Sequence, residues 1–411
     1  MKHIEIHVLR SVPVGRQNTD DAGMIKRCIF GGIERQRNAV QSYSRQMRLM
    51  IEKYSNQKLY QTRLRLYLAK KLVESGMADI DADSFASFVL RIVGVETKEG
   101  KDATVGRYDA KSLDQFVIDV MANKNELKDF QNEVVKIKND NERKKKEAKL
   151  SKDVLFVYLK KTVLANNKNH LLDMFGRMFA SDQDSSIQSC TMRSQMISTG
   201  SHRPVLDFFT ALDDKTNNGA AHMGHRELSG GGSYYNSVSV DISDMLQRND
   251  GDADLVSEYI VYFLMSILNS DPIGGTYSNF SSKKPYFVGV AMREKGSPSL
   301  LCDFMYNGIE KDTLSNISCS LMQFGSKTWK VTDDHPKYVG FTFIGDAKDE
   351  EFIASHQPKD WIRYDEYTSL IAKTVEFVKE DRYKEHESLI AKATDITAEI
   401  TKVAGMVQGN S

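Results

Sequence analysis

The strand-like segments of this chain fall into two groups separated by a long helical stretch. His3–Leu9 alternates polar and apolar residues with a period of two, which is typical of a strand. Strand-like segments rich in aromatic and β-branched residues return at Ser233–Ile242, Pro285–Met292 and Lys337–Ile344. Residues 52–180 between the two groups read as mostly helical and highly charged. The pattern therefore predicts an α+β fold in which a long helical insertion interrupts one sheet, most simply a four-stranded, ferredoxin-like sheet.

The composition indicates a well-packed protein without a membrane span. The chain has 411 residues, 40% of them hydrophobic and 27% charged, with seven prolines. No window approaches the roughly twenty apolar residues of a membrane helix, and the N-terminal segment does not resemble a signal peptide. We therefore expect a cytoplasmic protein. Its cysteines, at positions 28, 190, 302 and 319, are too scattered for a metal site and should be buried thiols.

The charge is unevenly distributed along the chain. The net charge is zero and the pI is near 7.1, which gives no support for a nucleic-acid partner. Residues 1–50, however, hold nine cations and four anions, a local net charge of +5. The N-terminal segment is thus a basic region within a neutral protein.

An amphipathic helix is predicted to follow this basic segment. Apolar residues recur at positions 40, 43, 47 and 50 or 51, which is helical spacing. Asn38 suits the N-cap, with Gln41 as its capping partner three residues on. Arg45 and Arg48 lie with Gln41 on a flank about a quarter to a third of a turn from the apolar stripe. The preceding segment, from Val12 to Gly32, is predicted to be a long loop.

An ordered series of short motifs resembles a known family. The first block contains Asn18–Asp21, Lys26, Ile29–Gly32, Arg35-x-Arg37 and Gln41-Ser-x-x-Arg45-x-x-Arg48. The second contains Gly176–Met178, Asp207–Asp214, Gly219–Gly224 and Glu227–Ser229. Together they resemble the CasC family, the repeated backbone subunits of type I-E CRISPR Cascade complexes. The resemblance covers residues 1–50 and 171–242 well and the helical insertion hardly at all.

The resemblance implies a hand-like fold. It places an RNA-recognition-motif-like palm at residues 1–51 and 233–411, helical fingers at 52–185, and a linker with a β-hairpin thumb at 186–232. Family members stack as a filament along a CRISPR guide RNA, and each thumb kinks the guide at regular intervals. The implied partners are the guide RNA, copies of the same chain, other Cascade subunits and, through guide pairing, target DNA. No cofactor and no catalysis are expected.

The resemblance also implies which side chains hold the guide. It assigns RNA contacts to Lys26, Arg35, Arg37, Gln41, Ser42, Arg45 and Arg48. A protein that presents a guide of any sequence has to bind its backbone, and arginine suits phosphate because its guanidinium donates two parallel hydrogen bonds. Gly31 and Gly32 could bring backbone N–H groups close to a phosphate.

At the thumb, the resemblance assigns the kink to Met178, Phe208, Phe209, Thr210 and Leu212. Apolar and aromatic side chains suit this role because they cover the surface that unstacked bases expose. Neighbouring residues of a strand point to opposite faces, so at most one of Phe208 and Phe209 is expected in the core if the segment is extended. Ser229–Gly232 resembles a hinge, and it lacks the Lys-Ser/Thr pair of a nucleotide-binding P-loop.

Some positions depart from the family pattern. Ala39-Val40 stands where the family commonly has two serines, and Ser44 where it commonly has a lysine. Gln195 and Gly200 stand where histidines are frequent. Some guide contacts of the family are therefore missing or moved to other cations such as Arg27.

Three alternative interpretations remain at the level of sequence. Type III backbone subunits cleave target RNA with a loop aspartate, so Asp20 and Asp21 could be catalytic, although a structural role in pairing with Arg16 or Lys26 is favoured. His222-x-x-His225 is half of a zinc site at most. A purely structural helical protein would bind no RNA. The basic run at residues 136–146 is interpreted as a solvated helix face.

Overall fold

The fold is divided into two compact units. A computed structural model describes residues 2–95, 105–178, 185–201, 204–215, 220–229, 231–270, 284–309 and 313–380. One unit, the sheet unit, comprises Met1–Met47 and Met192–Ser411, and the other, the helical unit, comprises Arg48–Thr191. The predicted α+β class, with a helical insertion in a ferredoxin-like sheet, is confirmed. The insertion predicted at 52–185 lies within the helical unit.

The secondary structure alternates short strands with helices of moderate length. The strands are β1 (His3–Val12), β2 (Arg27–Phe30), β3 (Ile33–Asn38), β4 (Leu59–Thr62), β5 (Gly106–Asp109), β6 (Thr191–Arg193), β7 (Met196–Ser198), β8 (Pro204–Leu212), β9 (Ala220–Ser229), β10 (Gly232–Asp241), β11 (Phe287–Arg293), β12 (Tyr338–Phe343) and β13 (Ile362–Arg363). The helices are α1 (Val40–Tyr54), α2 (Leu64–Glu74), α3 (Asp79–Val93), α4 (Ala110–Ala122), α5 (Lys124–Val135), α6 (Asp140–Leu150), α7 (Val154–Leu164), α8 (His170–Phe175), α9 (Ile242–Arg248), α10 (Ala253–Asn269), α11 (Leu314–Thr332) and α12 (Ala347–His356). A further helix covers residues 367–380.

The sheet unit contains a nine-stranded sheet. Its order is β13-β12-β11-β1-β10-β7-β3-β2, with β6 also paired to β10. The four strands β11-β1-β10-β7 pair antiparallel, and with α1 and α10 they follow the β-α-β-β-α-β order of a ferredoxin-like fold. The predicted strand at 337–344 is β12, which extends this sheet beyond β11. The fourth ferredoxin-like strand is β7, which is only three residues long and gives no alternating pattern.

Both faces of β1 are buried, although its pattern predicts one core face. Ile4, Ile6 and Val8 form the apolar face. On the other face, Glu5 Oε1 accepts hydrogen bonds from Arg293 Nε at 2.5 Å and from Ser299 N at 3.0 Å. Burial raises the pKa of Glu5, but hydrogen bonds from the neighbouring His3 and His7 and the charge of Arg293 outweigh it and lower that pKa to about 2. The polar face is therefore a buried charge network, which strand periodicity cannot distinguish from a solvent face.

The segment predicted as a loop up to Gly32 contains β2 and the turn of the β2–β3 hairpin. Gly31 and Gly32 form its two-residue turn with φ values of +63° and +74°, which matches a type I′ turn. A Cβ atom on Gly31 would lie 1.7 Å from the carbonyl oxygen of Tyr306. These glycines are required for the turn and for close packing, so we do not assign them to phosphate binding.

The helical unit has a core of its own. Leu68, Phe85, Phe116 and Phe156 are among its fully buried side chains, contributed by α2, α3, α4 and α7. The short β4–β5 ladder, which the sequence pattern did not predict, lies beside these helices as a separate two-stranded sheet. Asp109, at the end of β5, caps α4 by accepting a hydrogen bond from Ser112 N at 2.9 Å.

The thumb hairpin, as we name β8 and β9, is a two-stranded sheet separate from the nine-stranded one. Both strands lie within residues 186–232, which the resemblance assigns to the linker and the thumb. In the part of the chain that the structure describes, no helix is long and apolar enough to span a bilayer. The cysteines are free; Cys190 and Cys319 are buried as predicted, whereas Cys28 and Cys302 are half-buried.

Candidate nucleic-acid interface

The segment Asn18–Lys26, which we call the Lys26 loop, is held by hydrogen bonds at both ends. Lys26 N donates to Asn18 O at 3.1 Å, and Arg37 N donates to Lys26 O at 2.9 Å. Asn18 Oδ1 also accepts a hydrogen bond from Ala39 N at 3.0 Å, at the start of α1. The loop is thereby fixed against both β3 and the first turn of α1.

Lys26, Arg37, Gln41 and Arg45 surround this junction. Lys26 and Arg37 lie opposite each other where β3 begins to pair with the loop, and both side chains are half-buried. Gln41 and Arg45, one turn apart on α1, are exposed, and Ser42 between them is half-buried. Among the described residues, neither Lys26 nor Arg45 forms an ion pair. These two cations are therefore available to an anionic ligand.

Gln195 links Arg37 to the start of α1. Its Oε1 atom accepts hydrogen bonds from Arg37 Nη1 and from Val40 N, each at 3.1 Å. The predicted cap by Asn38 and Gln41 is wrong. The backbone N–H groups of Ala39 and Val40 donate instead to the side chains of Asn18 and Gln195, and Asn38 Nδ2 donates to Met196 Sδ at 3.5 Å. At this departure from the family pattern, a glutamine orients Arg37.

The buried side of α1 is anchored to the same segment. Tyr43 and Met47 are buried as the apolar stripe predicts, and Tyr43 donates its hydroxyl proton to Ser194 O at 2.6 Å. Burial raises the pKa of Tyr43, so this hydroxyl remains a donor. The exposed side of the helix, with Gln41 and Arg45, is thus held in a fixed orientation.

Arg35 does not belong to this surface. Its side chain is 0% exposed, and its guanidinium donates to the carbonyl oxygens of Ser198, Thr199, Met305 and Tyr306 at 2.6 to 3.3 Å. A guanidinium buried among four carbonyls cannot reach a phosphate in this conformation. The predicted guide contact of Arg35 is therefore replaced by a structural role.

Arg48 is also directed into the protein. It pairs with Glu52 one turn further along α1, at 2.5 Å, and donates to Leu59 O at 2.9 Å. Its side chain is only 7% exposed. The predicted helical flank therefore ends at Arg45, because the position of Arg48 turns towards the helical unit's own β4.

The kink residues assigned to the thumb hairpin are exposed. Phe208 and Phe209 are 55% and 45% exposed on opposite faces of β8, so neither belongs to the core. The Phe208 ring contacts His225, and the Phe209 ring lies over Gly224, where a Cβ atom would be 2.6 Å from it. Leu212 is 75% exposed, and Thr210 is exposed as well. The hairpin thus presents apolar surface on both faces.

Met178, the remaining predicted kink residue, lies in the helical unit. It is 80% exposed and follows Gly176 and Arg177 after α8. An exposed methionine of this kind can contact a ligand without a cost in core packing.

The acidic pair of the Lys26 loop forms a turn. Asp20 Oδ1 accepts from Met24 N at 2.8 Å, and Asp20 N donates to Met24 O at 2.9 Å. The expected pairing with Arg16 or Lys26 is wrong: Arg16 donates to Gly23 O at 2.7 Å, and no described cation pairs with Asp20 or Asp21. The turn geometry itself explains Asp20.

Metal chemistry finds no support in the described parts of the chain. They contain no cluster of three or more His, Cys, Asp or Glu side chains that could hold an ion. Of the proposed half-site, His225 packs on Phe208, whereas the side chain of His222 lies outside the described residues.

The basic run lies on α6 and the segment before it. Arg143 pairs with Asp140 and Lys146 with Glu133, each at 2.8 Å. Its other cations are exposed, as expected for a solvated face; they are Lys136, Lys138, Lys144 and Lys145.

The sequence matches one family and resembles solved structures over nearly its whole length. The family described as "CT1975-like protein" matches residues 4–323. A chain of a structure described as "CRISPR RNA-guided surveillance complex, pre-nicking" superposes with a TM-score of 0.74 at 20% identity, covering 92% of this chain and 100% of that one. A second, "CRISPR RNA-guided surveillance complex", gives 0.64 at 19% identity, covering 91% and 99%. No curated protein matches the sequence.

Proposed function

Since the chain belongs to the CT1975-like protein family, we propose that it is a non-catalytic backbone subunit that binds guide RNA in a type I-E-like CRISPR Cascade complex. The family match and the fold shared with chains of two CRISPR RNA-guided surveillance complexes support this proposal. We propose further that several copies stack along one guide in the cytoplasm with other Cascade subunits. In this assembly the guide pairs with target DNA.

The observation that carries this proposal is the set of side chains at the start of α1. Within the described part of the chain, Lys26 and Arg45 have no acidic partner. Arg37 is oriented by Gln195, and Gln41 is exposed one turn before Arg45 on α1. Cations and amide donors of this kind bind phosphate and ribose, which leaves the base edges free to pair. Such an interface accepts a guide of any sequence.

The thumb hairpin supports the proposal that the bound guide is kinked at regular intervals. Its exposed Phe208, Phe209 and Leu212 can cover the faces of bases that separate at a kink. A regular kink would divide the guide into short segments, each paired with the target separately. Met178 is included in the proposed kink contacts for two reasons only, which are the resemblance and the exposure of its side chain.

The proposal is tested on RNA that co-purifies with the protein when a CRISPR array and its partner subunits are co-expressed. Repeat-spacer guides of uniform length, with nuclease-accessible nucleotides at regular intervals, are expected. The matched variants are Lys26→Ala with Arg45→Ala, which should lose guide, and Lys330→Ala, an exposed lysine on α11 that should not. Heterogeneous cellular RNA in every sample would contradict the proposal.

Target-RNA cleavage by the Lys26 loop is the less favoured alternative. Asp20 is engaged in the turn to Met24, and the described residues contain no cluster of His, Cys, Asp or Glu that could hold a catalytic metal beside Asp21.

A further inference from the structure

A buried carboxylate of the thumb hairpin contacts the Lys26 loop. Glu227 lies in β9, opposite Leu206 of β8, and is 3% exposed. Its Oε2 atom accepts a hydrogen bond from Ile25 N at 2.7 Å. Its Oε1 atom lies 3.6 Å from Arg27 Nη2, on the other side of Lys26. One carboxylate therefore contacts the residues immediately before and after Lys26.

The backbone of Lys26 itself is fixed to the sheet unit. Its N–H and carbonyl groups bond to Asn18 and Arg37, as described above. Ile25 is 1% exposed and forms a bridge with Thr19, so its N–H group has no access to water as a substitute for Glu227. A shift of the hairpin would break this bond or move the loop with it.

Strand pairing does not fix the direction of the hairpin relative to the nine-stranded sheet. β8 and β9 pair with each other and not with the nine-stranded sheet. The chain leaves β9 through Gly231 and Gly232, whose φ values of +78° and +144° are rarely adopted by other residues. The Glu227 contacts therefore contribute to the orientation of a hairpin that is joined to the sheet through glycines.

We propose that Glu227 is a positioning residue: it holds the thumb hairpin at a fixed place relative to Lys26 and thereby fixes where the guide kinks relative to the bound phosphates. The inference rests on the proposed function. Glu227 need not touch RNA, since it acts through Ile25 and Arg27. A buried carboxylate is suited to this role because breaking a hydrogen bond or an ion pair of a buried charge costs free energy, which disfavours other hairpin positions.

The test compares nuclease footprints of guide RNA in complexes of the full chain. In Glu227→Ala, the length and the amount of bound guide should stay the same. The contrast between accessible and protected nucleotides should fall roughly tenfold, because losing a charged hydrogen bond shifts the population of hairpin positions by about that factor. Glu227→Gln retains an acceptor for Ile25 N and should keep most of the contrast. The control is Asp207→Ala, which removes the 2.7 Å pair with Arg226 on the same hairpin and should leave the footprint unchanged.

A purely structural role predicts a different result, in which guide amount and footprint contrast fall together. That result, or a wild-type footprint in Glu227→Ala, would overturn the inference. If Glu227→Ala does not fold, Arg27→Gln decides: Arg27 is 36% exposed, its loss should reduce the contrast severalfold, and an unchanged footprint would refute the positioning role. Wild-type protein without periodic protection would instead refute the proposed function itself.

Discussion

Arg35 donates a hydrogen bond from Nη1 to the carbonyl oxygen of Thr199 at 2.6 Å, inside the protein and away from the basic surface. The Nη2 atom of Arg35 donates to Met305 O at 2.8 Å. Arg35 thus joins β3 to two segments that are distant in sequence. Arg45, in contrast, is exposed on α1. Arg35 and Arg45 belong to the same series of motifs, but Arg35 is a buried structural residue and Arg45 is exposed.

Arg35→Leu should destabilise the protein without changing its charge contacts to RNA. The substitution leaves buried carbonyl groups without donors, which we expect to lower the free energy of unfolding by about 3 kcal/mol. The measurement is urea denaturation followed by circular dichroism. Arg45→Leu, the matched control on an exposed site, should change stability by less than about 0.5 kcal/mol. Equal stability of both variants would contradict the structural assignment.

The difference between Arg35 and Arg45 explains how far the sequence could predict the site. The Arg35 partners Thr199 and Met305 lie 164 and 270 residues away, so no local pattern reports its burial. The same holds for Gln195, which orients Arg37 across 158 residues. The exposure of Arg45 agrees with its predicted place on the flank of the helix, because that place relative to Tyr43 and Met47 is set by local periodicity.

The fold was predictable for the same reason where its elements are long. β1, β10, β11 and α10 carry regular apolar patterns over seven or more residues. β7 has only three residues, and the edge strand β2 does not alternate polar and apolar residues. Neither strand therefore gives a periodic signal in the sequence. The turn at Gly31-Gly32 was the available clue to the hairpin, since paired glycines favour a two-residue turn.

Replacing Lys26 and Arg45 together by alanine should weaken guide binding equally for guides of different sequence. Each lost phosphate contact reduces the slope of log affinity against log salt by about 0.7 for a single strand, so the slope should fall by roughly 1.4. The measurement is a salt titration of RNA binding by the purified complex. A loss that depends on guide sequence would show that these residues read bases.

Replacing Phe208 and Phe209 by alanine should abolish the regular kinks with little effect on folding. Both rings are about half exposed, so we expect the free energy of unfolding to fall by less than about 1 kcal/mol. Nuclease footprints of the bound guide should lose their periodic accessible positions. Leu228→Ala, at a position only 9% exposed, is the contrasting variant and should cost about 2 kcal/mol. A large stability loss in the double Phe variant would place the rings in the core.

Asp21→Ala should leave RNA integrity unchanged, because the protein is proposed to be non-catalytic. Asp20→Ala should lower stability by about 1 kcal/mol, since it removes the acceptor for Met24 N. Both variants are incubated with a labelled RNA complementary to the guide, beside the wild type. Cleavage by the wild type that disappears in Asp21→Ala would establish the catalytic alternative.

Acid should destabilise the protein partly through His170. Burial lowers the pKa of His170 from 6.5 to about 3, so the folded protein keeps it neutral while the unfolded chain takes up a proton below pH 6.5. Stability is therefore fully present above pH 6.5 and falls as the pH drops towards 3, by up to about 1.4 kcal/mol per pH unit from this group. Denaturation of His170→Leu at several pH values should show a flatter dependence between pH 6 and 4 than the wild type. Identical pH slopes would mean that His170 is accessible to protons in the folded state, contrary to its burial as the first residue of α8.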